Sequence, residues 1–244
     1  PPATRDELVR LQPERIVVVG GPAAINAAVE NQIVEAVPTA TIERVAGRDR
    51  YDTAVLLSKR STVVPGGRVY FGSGESFVES LAVAAMAAGE HATLLLVPRP
   101  GNFVPEGTVQ EVARLAPQHI VVVGNASVVS DAAVAVVAAA SPSAEVRRIA
   151  GETSIESAAR ATSDFIAGGT VFVATDRAFA DGLAGGAWAG RESAPIVIVP
   201  SAGALPTSVA NALSMLAPTR IVIFGGPAAV STDVENSLAQ FLPG

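Results

Sequence analysis

The chain has 244 residues, 49% of them hydrophobic and 16% charged, with a formal net charge of −6. That length buries one large core or two small ones, and the negative balance gives no support to nucleic-acid binding. With no cysteine and only His91 and His119, disulfides and cysteine metal sites are excluded, and no metal or cofactor is expected.

The opening residues, PPATRDEL, lack a basic region followed by an apolar segment. A mature product whose secretion signal has been removed is expected, and the apolar runs are too short to span a membrane. The first strong element is RIVVVGGPAAIN, Arg15 to Asn26, which reads as strand, glycine turn and helix start. It returns as HIVVVGNASVVS from His119 and RIVIFGGPAAVS from Arg220, so Gly20, Gly124 and Gly225 align at intervals of about a hundred residues. That period suits a small module rather than a solenoid repeat.

Further apolar runs begin near Thr41, Val69, Thr93, Glu145, Val171 and Ile196, with alanine-rich helical segments such as ESLAVAAMAA between them. Nine βα units result, which argues for parallel sheets covered by helices. Ser130-Asp131 and Ser231-Thr232-Asp233 mark helix starts, and Gly89 and Gly168-Gly169 mark ends. RVAGRDRYDTA (44–54) matches RIAGETSIESA (148–158), and the segments from Val69 and Thr93 match those from Val171 and Pro195.

The expected architecture is therefore tandem Rossmann-like or flavodoxin-like α/β modules, residues 1–141 with an extra leading glycine-turn unit and residues 142–244. A single βα barrel is the alternative, since unit number and size also suit it. Arg15 to Val19 has the composition of a buried strand and is expected to dock rather than stand unpaired.

Several chemistries touch on these residues. Gly20-Gly21 and Gly225-Gly226 either permit a tight turn or present amides to a phosphate, but the third glycine of the dinucleotide fingerprint and the P-loop lysine are missing. GSGES, from Gly72, lacks the spacing of a nucleophile elbow, and no histidine follows His119. Glu79 and Asp181 align near helix starts; they either do acid–base work or join a structural network, with Arg44 and Arg148 as natural partners.

Taken together, RVAGRDRYDTA, the aromatic-x-acid-x-Leu helices in SFVESLA and AFADGLA, and the glycine turns resemble the cell wall-binding repeat 2 family over nearly the whole chain from Arg15. Arg44, Gly47, Asp49, Arg50, Tyr51 and Thr53 match its first motif. The second copy keeps Arg148, Ala150 and Gly151, with Ser154 and Ile155 replacing the motif arginine and tyrosine. Asp181 and Leu183 match the helix motif, whereas Glu79-Ser80 replaces the usual Asp-Ala.

The resemblance implies an extracellular, wall-associated, non-catalytic module that anchors bacterial surface proteins to an anionic wall polymer or peptidoglycan-linked glycopolymer. It also implies packing against further modules or a homo-oligomer. An enzyme, either hydrolase or sugar-nucleotide transferase, and a protein-binding surface-assembly module are the alternatives. In open parallel sheets ligands bind outside the strand carboxyl ends. That places Arg48, Arg50 and Arg99 where they meet phosphate or carboxylate, Tyr51 where it stacks on a sugar, and Ser73 and Asn102 in neighbouring turns. An internal salt bridge and a packed ring are the equal alternative for Arg50 and Tyr51.

Overall fold

β-branched runs alternate with helices throughout, and every strand pairing is parallel. The structure is a computed structural model that describes residues 1–61, 66–99, 103–177 and 179–244. It comprises two compact units, Pro1–Ser61 and Thr62–Gly244.

The first unit runs α1 (Pro2–Leu11), β1 (Arg15–Val19), α2 (Ala27–Ala36), β2 (Thr41–Val45) and α3 (Arg50–Arg60). β1 pairs with β2, from Arg15 opposite Thr41 to Val19 opposite Val45. The leading strand thus docks on the Arg-x-Ala-Gly strand that follows it. α1 carries no buried residue, and a Glu7–Arg10 pair lies across one of its turns.

The second unit continues with β3 (Arg68–Ser73), α4 (Phe77–Gly89), β4 (Thr93–Val97), α5 (Glu106–Leu115), β5 (His119–Val123), α6 (Asp131–Ala140), β6 (Glu145–Ile149) and α7 (Ser154–Ala161). After a short 3₁₀ turn come β7 (Thr170–Thr175), α8 (Phe179–Arg191), β8 (Ile196–Val199), α9 (Thr207–Leu216), β9 (Arg220–Ile223) and α10 (Thr232–Ala239). The sheets are ordered β4-β3-β5-β6 and β8-β7-β9. Among the described residues no sheet closes on itself, so the barrel alternative is not realised. The expected boundary at 141/142 falls between β5 and β6, which are paired from His119–Glu145 to Val123–Ile149.

α4 is buried on nearly all sides because it lies between two cores. Val78, Leu81, Ala82 and Ala85 join Phe172, Ala174, Ile196 and Ile198. Val83, Met86 and Ala87 join Tyr70, Val121, Val123 and Ile149. A helix in that position must be apolar all round, which is what VESLAVAAMAA supplies. Its neighbour α8 carries four glycines, and small residues line the approach of the two helices: a Cβ on Gly190 would lie 2.5 Å from that of Ala88.

Tyr70 is fully buried; its hydroxyl donates to Glu90 Oε2 at 3.0 Å and accepts from Arg68 Nη1 at 3.1 Å. Burial pushes its pKa up to about 12, with the Arg68 bond opposing the rise. A group raised in the folded state stabilises fully below its unfolded pKa and loses that contribution as pH climbs to the folded one. Unfolding measured between pH 10 and 12 should therefore show a loss of stability that Tyr70→Phe lacks.

Candidate functional site

The glycine turns and the Arg-x-Ala-Gly strands form one repeated device. After β1 and β5 the chain must reverse sharply into a helix, and Gly20 and Gly124 adopt φ of 116° and 115° to do so, a region costly for side-chain-bearing residues. A side chain at Gly124 would also strike Val128 Cγ1 at 2.9 Å. The helices are capped by Asn26 and Ser130, whose side chains accept from Val29 and Ala133 N–H.

The arginine of the following strand then ties each turn down. Arg44 donates to Gly20 O at 2.5 Å, Ile25 O at 3.0 Å and Glu30 Oε2 at 2.7 Å. Arg148 donates to Gly124 O at 2.7 Å, Val129 O at 2.9 Å and Asp131 Oδ1 at 2.9 Å. A planar guanidinium reaches two carbonyls and a carboxylate at once. The acids paired with these arginines are thus Glu30 and Asp131, at the start of the helix after the glycine turn, rather than Glu79 or Asp181.

The loop after each arginine is also conserved in chemistry between copies. Asp49 accepts from Asp52 N–H at 2.8 Å, and Thr153 from Glu156 N–H at 3.1 Å. Thr53 Oγ1 accepts from Gly47 N–H at 3.0 Å, and Ser157 Oγ from Gly151 N–H at 2.9 Å. Comparing letters alone hides this: Thr153 and Ser157 do the hydrogen bonding of Asp49 and Thr53. Gly47 and Gly151 have no room for a side chain, since a Cβ would lie 2.3 Å from Asp52 Cβ and 2.4 Å from Glu156 Cγ. The Glu156 carboxyl is held below its ordinary range by the Glu152 N–H and then by Arg160. Thr153→Ala should lower stability by about 1 kcal/mol in urea unfolding, the usual loss on removing an N-cap acceptor.

At the carboxyl end of β3, Ser73 is buried and its Oγ accepts from Glu75 N–H at 3.1 Å. Thr175 does the same for Arg177 N–H at 3.2 Å after β7. Ser73 therefore shapes the turn instead of presenting its hydroxyl to solvent. Glu79 is fully buried; Oε2 accepts from Ser76 Oγ at 2.5 Å, while Oε1 has no hydrogen-bond partner among the described residues. It sits beneath the Gly124 turn, and Asp181 holds the matching place beside Gly225.

Arg99 is exposed and donates through Nε to Ser127 O at 3.0 Å, so its charge stays at the strand-end surface of the second unit. Arg48 pairs with Asp52 across the first turn of α3. Arg50 and Tyr51 open α3 in the first unit and both have interaction partners. Asn102 lies outside the described residues. One feature had no sequence signal: an open groove of about 650 Å³ between α7 and α9, bordered by Glu156, Arg160, Asn211 and Met215. No group of three or more potential metal ligands occurs among the described residues, and no helix there is long and apolar enough to cross a membrane.

The repeated clamp has a counterpart among known proteins. The model of the family described as Cell wall binding domain 2 (CWB2) matches residues 44–134 and 148–235. The chain belongs to this family. Each matched CWB2 segment begins at a clamp arginine, Arg44 or Arg148, and runs through the next glycine turn. Among curated proteins, an amidase enhancer of Bacillus subtilis (strain 168) is 24% identical over 243 residues, covering 97% of this chain and 31% of the relative. Among solved structures, Cwp6 from Clostridium difficile superposes with a TM-score of 0.87 at 21% identity, covering 100% of this chain and 38% of that one. Cwp8 from the same organism gives 0.84 at 21% identity, covering 99% and 41%. The chain thus spans about a third to two fifths of the length of these relatives, and the two structures share its tandem α/β fold. CWB2 membership gives the chain a cell wall-associated role.

Proposed function

We propose that this chain is a non-catalytic binding module that holds a bacterial surface protein to the cell wall by non-covalent contact with an anionic wall glycopolymer. The observation that carries the reading is the CWB2 match to both repeats. The charge pattern supports it: the repeated clamp arginines, Arg44 and Arg148, are used internally, while Arg99 and Arg48 remain at the surface beside strand ends. Contacts of this kind are salt-sensitive, because exposed charges are screened over about 8 Å at physiological ionic strength.

Sedimentation with purified cell walls tests the proposal. The chain should pellet with intact walls at moderate salt and remain in the supernatant once the anionic polymers are stripped. Failure to pellet with intact walls would sink the anchoring reading. A folded variant carrying Arg48→Ala, Arg50→Ala and Arg99→Ala should pellet several-fold less, because exposed ionic contacts are individually weak and act together. Equal pelleting of that variant would assign binding to other residues, with the α7–α9 groove next to be probed.

A further inference from the structure

The α7–α9 groove is built from residues in which the second repeat departs from the first. Its lining includes Ala159 and Ala212, which are 3% and 7% exposed and belong to one buried cluster. At the aligned places the first repeat has Val55 and Glu111. Either side chain is larger than alanine, so both departures remove bulk from the bottom of the same groove.

The charge has been removed along with the bulk. α9, TSVANALSML, has no charged residue, whereas α5, EGTVQEVARL, carries Glu106, Glu111 and Arg114 in the same ten positions. The charged residues in the lining are Glu156 and Arg160, and they cancel. Arg160 Nη2 donates to Glu156 Oε1 at 2.7 Å and Nη1 to Ala150 O at 3.0 Å, while Glu156 Oε2 accepts from Glu152 N–H at 2.9 Å. No lining charge is left to draw an ionic ligand.

What remains open is neutral and polar. The side chains of Thr207, Ser208 and Asn211 line the groove and have no hydrogen-bond partner among the described residues. The Asn211 carboxamide offers two donors and an acceptor together. One turn further along α9, Met215 is 63% exposed and faces the groove with Phe165 and Leu216. The volume, about 650 Å³, lies inside the range of roughly 300–1,000 Å³ that takes small organic ligands. The walls are helices of eight and ten residues, so the groove is about 12–15 Å long. A peptide is the poorer fit: helix walls keep their backbone bonds to themselves and offer no strand edge for its main chain.

We propose that the α7–α9 groove binds an uncharged saccharide of N-acylated amino sugars. The Asn211 carboxamide pairs with an acylamido group, Ser208 and Thr207 bond ring hydroxyls, and Met215 packs on the acyl methyl and the apolar face of the ring. The site uses none of Arg48, Arg50 and Arg99 and does not rest on the anionic-polymer reading.

Nuclear magnetic resonance titration of the full chain with triacetylchitotriose tests it, with cellotriose, which lacks the acylamido groups, and trialanine as comparisons. Triacetylchitotriose should give saturable shifts confined to α7, α9 and the Asn211 side-chain amide, with an affinity unchanged by salt because no exposed ion pair forms. Asn211→Leu, an exposed position that leaves the fold intact, should weaken binding about fivefold, the loss expected for neutral hydrogen bonds, and cellotriose should bind weaker by about the same factor. Ala212→Glu, which restores the first repeat's residue, should abolish it. The triple variant lacking Arg48, Arg50 and Arg99 should bind triacetylchitotriose as the parent chain does, so this proposal and wall anchoring fail separately. The absence of saturable shifts at millimolar triacetylchitotriose would overturn the proposal. So would undiminished binding by Asn211→Leu, equal binding of cellotriose, or tighter binding of trialanine.

Discussion

Arg148→Ala is expected to lower the stability of the second unit by about 3 kcal/mol, because it removes charge-assisted bonds and strands polar groups with little access to water. Gly124 and Val129 are both buried, so their carbonyls cannot recover their bonds from solvent once the guanidinium is gone. The adjacent Arg147 is the internal control. It pairs with Asp164 while nearly half exposed, and Arg147→Ala should cost less than about 1 kcal/mol. Arg148→Lys should recover only part of the loss, since one ammonium cannot span two carbonyls and a carboxylate. Urea unfolding with a constant m-value decides the matter. If Arg147→Ala and Arg148→Ala lose equal stability, the arginine is a surface residue and not the clamp of the glycine turn.

The clamp also shows what the sequence revealed and what it hid. The glycine turns were legible because positive φ restricts the choice of residue: all three copies keep glycine, at φ of 116°, 115° and 105°. The parallel α/β character was legible from the alternation of β-branched runs with alanine-rich segments. Sheet membership was not, because each Arg-x-Ala-Gly strand opens a sequence copy and yet pairs with the strand that closes the previous one. A tandem repeat can be cut at any junction without changing its apparent period.

The same displacement hid the ion-pair partners. Asp131 lies 17 residues before Arg148, at the start of the helix that follows the neighbouring strand, where no helical or strand spacing links them. Thr153 and Ser157 escaped notice for a different reason. A hydroxyl and a carboxylate are both acceptors for a helix-start N–H, so the bond persists through a substitution that looks like loss of the motif. The α7–α9 groove is built by helices following strands of two different sheets, a juxtaposition invisible to local pattern.

The glycines of α8 lead to the other large effect. Four glycines in a thirteen-residue helix oppose helix formation, at about 1 kcal/mol each relative to alanine, so an offsetting role in packing is needed. At Gly190 that role is close approach to α4: a Cβ would lie 2.5 Å from Ala88 Cβ, which has no flexible end to swing aside. The helices would have to move apart by about 1 Å, disturbing a close-packed interface. Gly190→Ala should therefore lower stability by about 2 kcal/mol, with overpacking outweighing the gain in helix propensity. At Gly186, by contrast, the nearest atom to an added Cβ is Ile196 Cδ1 at 4.0 Å. Gly186→Ala should raise stability by roughly 0.5–1 kcal/mol, because only the propensity term remains. Combining Gly190→Ala with Ala88→Gly moves the methyl group from one helix to the other and should restore much of the loss, giving a coupling energy of about 1–2 kcal/mol in a double-mutant cycle. Additive losses in that cycle would mean that the two helices do not meet through these residues.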